Sequence, residues 1–538
     1  MTGMTRTGNA LPAWWLAVAI VALFAALQAA TLNYGTRIND LPHIRDYRIT
    51  SDVIRGSGLT RDQLIGTNVD RSESLDLGMV RFKLYTVESD EVVNIIALAR
   101  IRPSQLQFDP KFYQYGGAFL YPLGGWYLAL SKLGLVHVTS LETMLAQPQQ
   151  MDRVWIAGRA FVLIAFVLSS FLLFLTLLEI ASAPFAIAGL VIYLFCPASI
   201  MFSQVIKPHW YALLWVNAAL LIVVRAFVRN RLALAAELLL AAVIGLAVGS
   251  ATTFAPMAAL IWGALALLVK RGGINFIVLL RVPAVAIVTF VVTNPYYVLN
   301  WRAVQIEQAA AANWFHWSLD PVALVMFVQN SLFAGYGLAF TVLIFAVVAL
   351  HLIQGPAWAR LLAIAIMTPI VIIAAMTANL ATWNMNFRYI PYVLPAAPLL
   401  VALWRWPHRG LILALCAIAT VVQAAPLKLA YFDENSDAHA TRLLAAEWIN
   451  TNVAKDDAIC LATKTLVPFD VPPFRFDQYR INSPDCRWLV RVERNPRSVA
   501  IDPGYRIEKR FTPRLSPQSF PLVWEHINPQ ITIYRKNG

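Results

Sequence analysis

Long apolar runs separated by short polar turns are the main feature of the hydrophobic pattern. The runs lie near residues 11–31, 156–179, 184–202, 210–228, 232–250, 253–269, 275–293, 322–352, 360–380, 389–404 and 410–428. Most have about 17–25 residues, the length at which an α-helix crosses the hydrocarbon core of a bilayer. The pattern therefore predicts a polytopic α-helical membrane protein with about eleven spans.

The composition agrees with a chain that faces lipid. Hydrophobic residues make up 59% of the 538 residues and charged residues 14%, whereas soluble domains average about 45–50% and about 25%. The net charge of +13 is explained by Lys and Arg in cytoplasmic loops, as is typical of polytopic membrane proteins. The sequence has no compact basic patch with interleaved aromatic residues, so we expect no nucleic-acid partner.

The distribution of positive charge sets the predicted topology. The first run is too long for the apolar region of a signal peptide and lacks a small-residue cleavage site, so we expect a retained span with Arg6 in the cytoplasm. The segment 116–136 is nearly long enough to cross, but it carries several glycines and Lys132. If it does not cross, the following basic residues all lie in the cytoplasm: Arg225, Arg229, Arg231, Lys270, Arg271, Arg405 and Arg409. This bias favours an interfacial or re-entrant helix at 116–136.

This topology divides the chain into four parts. Residues 1–33 form the first transmembrane helix, and 34–155 form a large extracytoplasmic loop that contains the helix at 116–136. Residues 156–428 form a multi-span core, and 429–538 form an extracytoplasmic domain. We expect the protein in the inner (plasma) membrane, with a cytoplasmic N-terminus.

The pattern predicts a small α/β domain in the C-terminal part, because the apolar runs stop near residue 429 and charged residues return. The stretch HATRLLAAEWINTNV (439–453) has helical apolar spacing, and AICLATKTLV and ITIYRK are typical of strands. Cys460 and Cys486 could pair in an oxidising compartment, although the sequence does not show that they are close. Cys196 and Cys416 lie inside apolar runs, where we expect packing roles.

The stretch YTVESDEVVNIIALAR (85–100) places two adjacent carboxylates, Asp90 and Glu91, at the start of a half-apolar helix. A structural explanation is available, because Ser89 is a suitable N-cap and acidic residues in a first turn complement the helix dipole. A functional explanation is also available. An extracytoplasmic carboxylate near a membrane surface is well placed to act on a reactant held in the bilayer.

Six segments, in order, carry a resemblance to a known family. They are ESDEVVNIIALARIRPSQLQFDPKFYQYGGAFLYPLGGWYLAL (88–130), AGRAFVLIAF (157–166), CPASIMFSQVIKPHW (196–210), TNPYYVLNW (293–301), FRYIPYVLPAAPLLVAL (387–403) and TRLLAAEWINTNVAKDDAI (441–459). Together they resemble bacterial glycosyltransferase family 39, which comprises relatives of the dolichyl-phosphate-mannose protein mannosyltransferases within the membrane GT-C class. The resemblance covers nearly the whole chain. No single segment is specific, and their shared order carries the resemblance.

The resemblance implies a GT-C-like fold and a transferase that uses a polyprenyl-phosphate-linked sugar. Asp90 would then be the catalytic carboxylate, Glu91 its partner, and Arg159 a contact of the donor phosphate. A carboxylate can take the proton of an attacking acceptor hydroxyl, and a guanidinium can stabilise a departing phosphate. Single-step displacement would invert the anomeric configuration. We expect no cofactor and a metal-independent reaction, because no cluster with metal-ligand spacing is visible.

Further substrate-binding candidates lie at predicted outer turns. Lys207-Pro208-His209 departs from the resemblance, since many relatives have an aspartate after this proline. His209 either binds acceptor or phosphate or is an interfacial residue without chemistry, and Lys207 is either a second phosphate contact or a snorkelling side chain. Arg388 precedes a span on the outer face, against the charge bias, which favours a site role. Tyr115, which we expect to shape the first loop, is also a candidate.

Two rival functions remain at the level of sequence. A transporter or flippase of lipid-linked sugars would also have many spans, but such proteins usually place charges near the bilayer midplane and carry inverted repeats. Here the candidate charges collect at predicted outer turns, and no repeat is visible. A non-catalytic protein with the GT-C fold is the other alternative. The acceptor, whether protein, glycan or lipid, is not revealed.

Overall fold

The structure is a computed structural model that describes residues 10–49, 52, 75–137, 141–312, 320–376, 390–463, 466–493, 504–514 and 527–537. The α-helices in these ranges are α1 (Ala10–Ala29), α2 (Pro42–Arg45), α3 (Leu75–Leu84), α4 (Val92–Arg100), α5 (Gly117–Lys132), α6 (Leu141–Ala146), α7 (Pro148–Leu178), α8 (Ala183–Phe195), α9 (Pro197–Phe202), α10 (Pro208–Arg229), α11 (Leu234–Ser250), α12 (Ala255–Lys270), α13 (Val278–Thr293), α14 (Pro295–Leu299), α15 (Trp301–Ala312), α16 (Pro321–Phe327), α17 (Ala334–Tyr336), α18 (Leu338–Gln354), α19 (Ala357–Met376), α20 (Val393–Leu403), α21 (Arg409–Glu434) and α22 (Thr441–Asn452). The strands are β1 (Ala458–Leu461), β2 (Arg480–Ile481), β3 (Trp488–Glu493), β4 (Tyr505–Phe511) and β5 (Gln530–Lys536).

Six helices of the described chain are long and apolar enough to cross a membrane. They cover Pro12–Ala29, Pro148–Leu178, Pro208–Arg229, Thr252–Lys270, Ala357–Ala375 and Arg409–Glu434. Shorter apolar helices of 10–17 residues are α8, α11, α13, α18 and α20. Each apolar run in the sequence overlaps one of these helices, so the helical prediction is confirmed, while the number of spans stays a prediction. The helix predicted at 116–136 is present as α5, and its interfacial or re-entrant placement also stays a prediction.

The chain forms two compact units. The first, called here the helical unit, comprises Met1–Ala29, Lys111–Leu123 and Phe161–Ala425. Its core is built from apolar and aromatic side chains on the faces where helices meet. Phe24 of α1, for example, lies 5.8 Å from Phe166 of α7 and 5.4 Å from Phe195 of α8, measured between ring centroids.

The longest predicted run, 322–352, is divided in the structure. A π-helical turn covers Val328–Phe333, and the chain turns at Gly337, whose φ of 90° is open to glycine but rare for other residues. Polar backbone groups freed at such a break need partners when the surroundings are apolar. Gln423 of α21 supplies them, since its amide donates to Phe333 O at 2.8 Å and its carbonyl accepts from Leu338 N at 2.9 Å.

Two glycines before and at the start of α5 allow a close approach of backbone segments within the helical unit. Gly116 N donates to Ser250 O at 3.0 Å, and Gly117 N donates to the side-chain carbonyl of Asn294 at 2.6 Å. A Cβ on Gly116 would lie 1.7 Å from Gly249 O. Position 116 therefore requires glycine, because any Cβ would clash with this carbonyl oxygen. Asn294, in the segment TNPYYVLNW, holds the backbone at Gly117 through its side chain.

Replacing Gly116 by alanine is expected to lower the free energy of unfolding by about 1–3 kcal/mol, because the new methyl group must push backbone away rather than a flexible side chain. The thermal unfolding midpoint of the purified protein measures this. Gly125→Ala is the matched control, because nothing lies within 4 Å of its added Cβ and alanine favours a helix interior. Equal midpoints for the two variants would contradict the contact.

The second unit, called here the mixed unit, comprises Ala30–Pro110, Gly124–Ala160 and Pro426–Gly538. Its sheet has the strand order β2-β1-β3-β5-β4, with β1 parallel to β2 and β3 and with β5 antiparallel to β3 and β4. The predicted helix at 439–453 and the predicted strands are confirmed as α22, β1 and β5. A disulfide joins Cys460 and Cys486.

A buried ion pair connects the end of α21 with α22 in the mixed unit. Arg442 donates to both carboxylate oxygens of Glu434, at 2.8 and 3.0 Å. Asn528 N donates to the same carboxylate at 2.6 Å, and Asn528 in turn accepts from Thr441 N at 2.8 Å. The buried charges are thus paired and hydrogen-bonded, as low-dielectric surroundings require.

Candidate functional site

The predicted catalytic carboxylates lie in a turn between α3 and α4, here called the acidic turn (residues 86–91). Helix α4 begins at Val92, with Glu91 in the N-cap position and no side-chain capping bond. The expectation that Ser89 caps this helix was therefore wrong. Thr86 organises the turn instead, because its hydroxyl accepts from Glu88 N and donates to Glu91 Oε2, both at 2.9 Å.

Glu91 is fully buried and forms a two-point ion pair with Arg159 of α7. Arg159 Nε donates to Glu91 Oε1 at 2.9 Å, and a terminal nitrogen donates to Oε2 at 2.7 Å. Both side chains are 0% exposed. Planar bidentate pairs of this kind fix orientation as well as charge. The structure thus brings Glu91 and Arg159 together, 68 residues apart in the sequence.

Arg159 also fixes the turn that follows α1. Its remaining terminal nitrogen donates to Leu32 O at 2.7 Å and to Tyr34 O at 2.8 Å. The guanidinium carbon lies 3.6 Å from the ring centroid of Tyr34, in cation–π geometry. Burial raises the pKa of Tyr34 well above its usual range, so its phenol stays neutral. The predicted role of Arg159 at a donor phosphate stays a prediction, and the structure adds that this guanidinium is enclosed.

Asp90 has different surroundings from its neighbour. Its side chain is half-buried, whereas Glu91 is enclosed. The backbone of Asp90 is held on both sides, since its N–H donates to Glu88 Oε1 and its carbonyl accepts from the Asn94 amide, each at 3.4 Å. Two adjacent carboxylates therefore have distinct environments, and only that of Asp90 is open in part to solvent.

Sequence reasoning missed two lysines that support this part of the mixed unit. Lys83 at the end of α3 is buried and donates to the carbonyls of Arg45, Tyr47 and Leu145, and burial lowers its pKa to about 8. Lys428 of α21 donates to Thr31 Oγ1, next to the carbonyls that Arg159 binds. A lysine inside an apolar run is a sequence signal for a polar partner, and Lys428 carries that signal.

The other candidate residues lie in the helical unit. Lys207 occupies the N-cap position of α10 with extended backbone and is 1% exposed. His209, in the first turn of that helix, is 3% exposed. The rings of Tyr115 and His209 meet edge to face with centroids 6.0 Å apart, so these two predicted residues are brought together. Arg388 lies outside the described residues.

Within the described ranges there is no group of three or more His, Cys, Asp or Glu side chains with metal-binding proximity. Tyr297 donates its hydroxyl to Tyr113 O. Glu307 accepts from Tyr113 N at 2.9 Å and from Gln114 N at 3.1 Å. These contacts secure the loop that carries Tyr115.

No family model and no curated protein matches the sequence. Among solved structures, the crystal structure of ArnT from Cupriavidus metallidurans in the apo state is similar, with 13% sequence identity and a TM-score of 0.41. The similarity covers 72% of this chain and 81% of that chain.

Proposed function

We propose that this protein is a membrane glycosyltransferase that moves a sugar from a polyprenyl-phosphate donor to an acceptor hydroxyl by inverting displacement. One observation carries the proposal: in the acidic turn, the buried Glu91–Arg159 pair holds the backbone while the adjacent Asp90 keeps a half-buried carboxylate. A general base needs such a fixed backbone and an accessible oxygen. The six segments that resemble glycosyltransferase family 39 support the same assignment.

The proposed reaction is a single displacement. The acceptor hydroxyl oxygen forms a bond to the anomeric carbon while its proton passes to the Asp90 carboxylate. The bond from the anomeric carbon to the phosphate oxygen breaks, and its electrons leave with polyprenyl phosphate. Asp90 later loses the proton to solvent. On the sequence resemblance alone, Lys207, His209, Arg388 and Tyr115 stay candidate substrate-binding residues.

Glu91 and Arg159 take supporting parts in this proposal. The Arg159 guanidinium is shared between Glu91 and two backbone carbonyls, so we assign it a positioning role: it fixes the acidic turn against the turn after α1. In the sequence resemblance it contacts the donor phosphate. A positioning role changes turnover more than donor binding, which separates the two roles in kinetics.

The experiment that tests the function offers purified protein a panel of polyprenyl-phosphate sugars and measures released polyprenyl phosphate. Release with one donor class, dependent on an acceptor, is the expected result. If the protein moves lipid-linked sugar across vesicles without releasing polyprenyl phosphate, it is a transporter and the proposal fails. If it neither releases nor moves the lipid, a non-catalytic role takes its place.

We also propose that the mixed unit faces an extracytoplasmic compartment of the inner (plasma) membrane. The Cys460–Cys486 disulfide supports this, because such bonds persist where the surroundings are oxidising and are rare in the cytosol. After mild reduction of intact cells, a membrane-impermeant thiol reagent is expected to label the partly exposed Cys460. The buried Cys196 and Cys416 serve as unlabelled controls. Labelling of Cys460 only after lysis would show that the mixed unit faces the cytoplasm.

A further inference from the structure

Five exposed basic residues lie at the ends of three apolar helices in the helical unit. Arg229 and Arg231 are at and just after the C-terminus of α10, Lys270 and Arg271 end α12, and Arg360 is in the first turn of α19. We call these five residues the basic face. They come from parts of the sequence separated by up to about 130 positions, so their proximity is a property of the fold.

Direct contacts bring the three helix ends together. The guanidinium carbon of Arg271 lies 5.4 Å from the ring centroid of Phe227 in α10. The Phe227 ring lies 6.3 Å from that of Trp358 in α19. Gly273 approaches Asn230 so closely that a Cβ would lie 2.4 Å from its side-chain oxygen. The loops after α10 and α12 and the start of α19 therefore share one aromatic-lined surface.

The basic face lacks acidic partners among the residues that the structure describes. The acidic side chains on nearby helices are already paired, Glu179 with Arg225 at 2.8 Å and Glu237 with Arg281 at 3.3 Å. The C-terminal dipoles of α10 and α12 favour cations, but each acts only within its last turn and amounts to about half a charge. The basic face therefore presents an excess of positive charge at the protein surface, which attracts anions.

The position of the basic face indicates which kind of anion it binds. It lies at the ends of helices whose flanks expose large apolar side chains, such as Trp262, Val228 and Phe276. In a bilayer, Trp and Arg at helix ends lie at the level of the headgroups. Arginine binds phosphate oxygens through two parallel hydrogen bonds, and clusters of Lys and Arg beside a membrane helix attract anionic lipids.

We propose that the basic face binds the phosphodiester headgroup of an anionic phospholipid, such as phosphatidylglycerol or cardiolipin. The proposal depends on membrane insertion and not on the proposed glycosyltransferase activity. The bound lipid neutralises the side chains around Phe227 and Trp358 and bridges three helix ends, so it stabilises the helical unit.

The test uses the full chain purified in detergent, with lipid binding measured by native mass spectrometry and stability by the thermal unfolding midpoint. Phosphatidylglycerol, cardiolipin, phosphatidylcholine and inorganic phosphate are added at matched concentrations. The triple variant R229Q/R231Q/K270Q removes three charges from the basic face and keeps the contact of Arg271 with Phe227. The variant R506Q/K509Q/R510Q removes the same charge from exposed positions of β4 and serves as control.

The anionic lipids are expected to raise the midpoint and to bind the wild type, whereas phosphatidylcholine does neither. Each charge removed from the basic face is expected to weaken binding about fivefold at low salt, so the triple variant loses about 100-fold and the β4 control less than twofold. The midpoints of wild type and triple variant without lipid should agree, which excludes misfolding. Equal binding by the triple variant and wild type overturns the proposal. So does equal stabilisation by inorganic phosphate, which would mean that the face recognises free anions.

Discussion

Asp90→Asn is expected to lower sugar transfer by about 10²- to 10⁴-fold, the usual contribution of a positioned general base. The amide keeps the shape of the side chain but cannot accept the proton of the acceptor hydroxyl. Asparagine keeps the backbone contacts with Glu88 and Asn94, and a thermal unfolding midpoint equal to that of the wild type shows that the variant folds. Released polyprenyl phosphate, measured under saturating donor, gives the effect directly.

Asp456→Asn is the control for this experiment. Asp456 is an exposed carboxylate of the same mixed unit, with a φ of 66° that asparagine tolerates well. Transfer by this variant should match that of the wild type. If Asp90→Asn also retains full turnover, Asp90 is not the base, and the function built on the acidic turn loses its main support.

Arg159→Met is expected to destabilise the protein by about 3–5 kcal/mol, because it leaves the buried Glu91 carboxylate without its guanidinium. The carbonyls of Leu32 and Tyr34 lose their donor as well. The unfolding midpoint measures this loss. The double variant that adds Glu91→Gln should recover part of it, since the uncompensated charge is then removed.

Arg159→Lys separates the two roles of this residue if the methionine variant does not fold. Lysine keeps the charge but cannot make two parallel bonds to one carboxylate. A positioning role predicts a lower kcat with an almost unchanged KM for the donor. A higher donor KM with an unchanged kcat would instead support direct contact with the donor phosphate, as the sequence resemblance implies.

The sequence predicted the helices of the helical unit well, because apolar length is read directly from a single run. It was less accurate where polar residues are satisfied by distant partners. Helix α7 begins at Pro148, before the apolar run at 156, and the polar Asp152 in its early turns accepts a hydrogen bond from Asn39 at 2.8 Å. Only the tertiary structure supplies that partner, so hydrophobic periodicity alone places the start of the helix too late.

The candidate site, too, was predictable from the sequence only in part. Residue types and order pointed to Asp90, Glu91 and Arg159, but no local rule pairs residues 68 positions apart. An arginine within an apolar helix signals that a carboxylate must be near. This rule limits the possible partners of Arg159 but does not decide among Glu88, Asp90 and Glu91. The pairing of Cys460 with Cys486 likewise depended on the register of β1 and β3.

The buried ion pair between Glu434 and Arg442 limits where the chain can be cut to produce isolated parts. Arg442 and Asn528 both depend on the Glu434 carboxylate, which belongs to the last turn of α21. A water-soluble fragment cut at Asn435 would discard this acceptor and leave the buried Arg442 guanidinium without its carboxylate. Any truncation meant to crystallise the sheet separately should therefore begin at least one turn earlier, before Glu434.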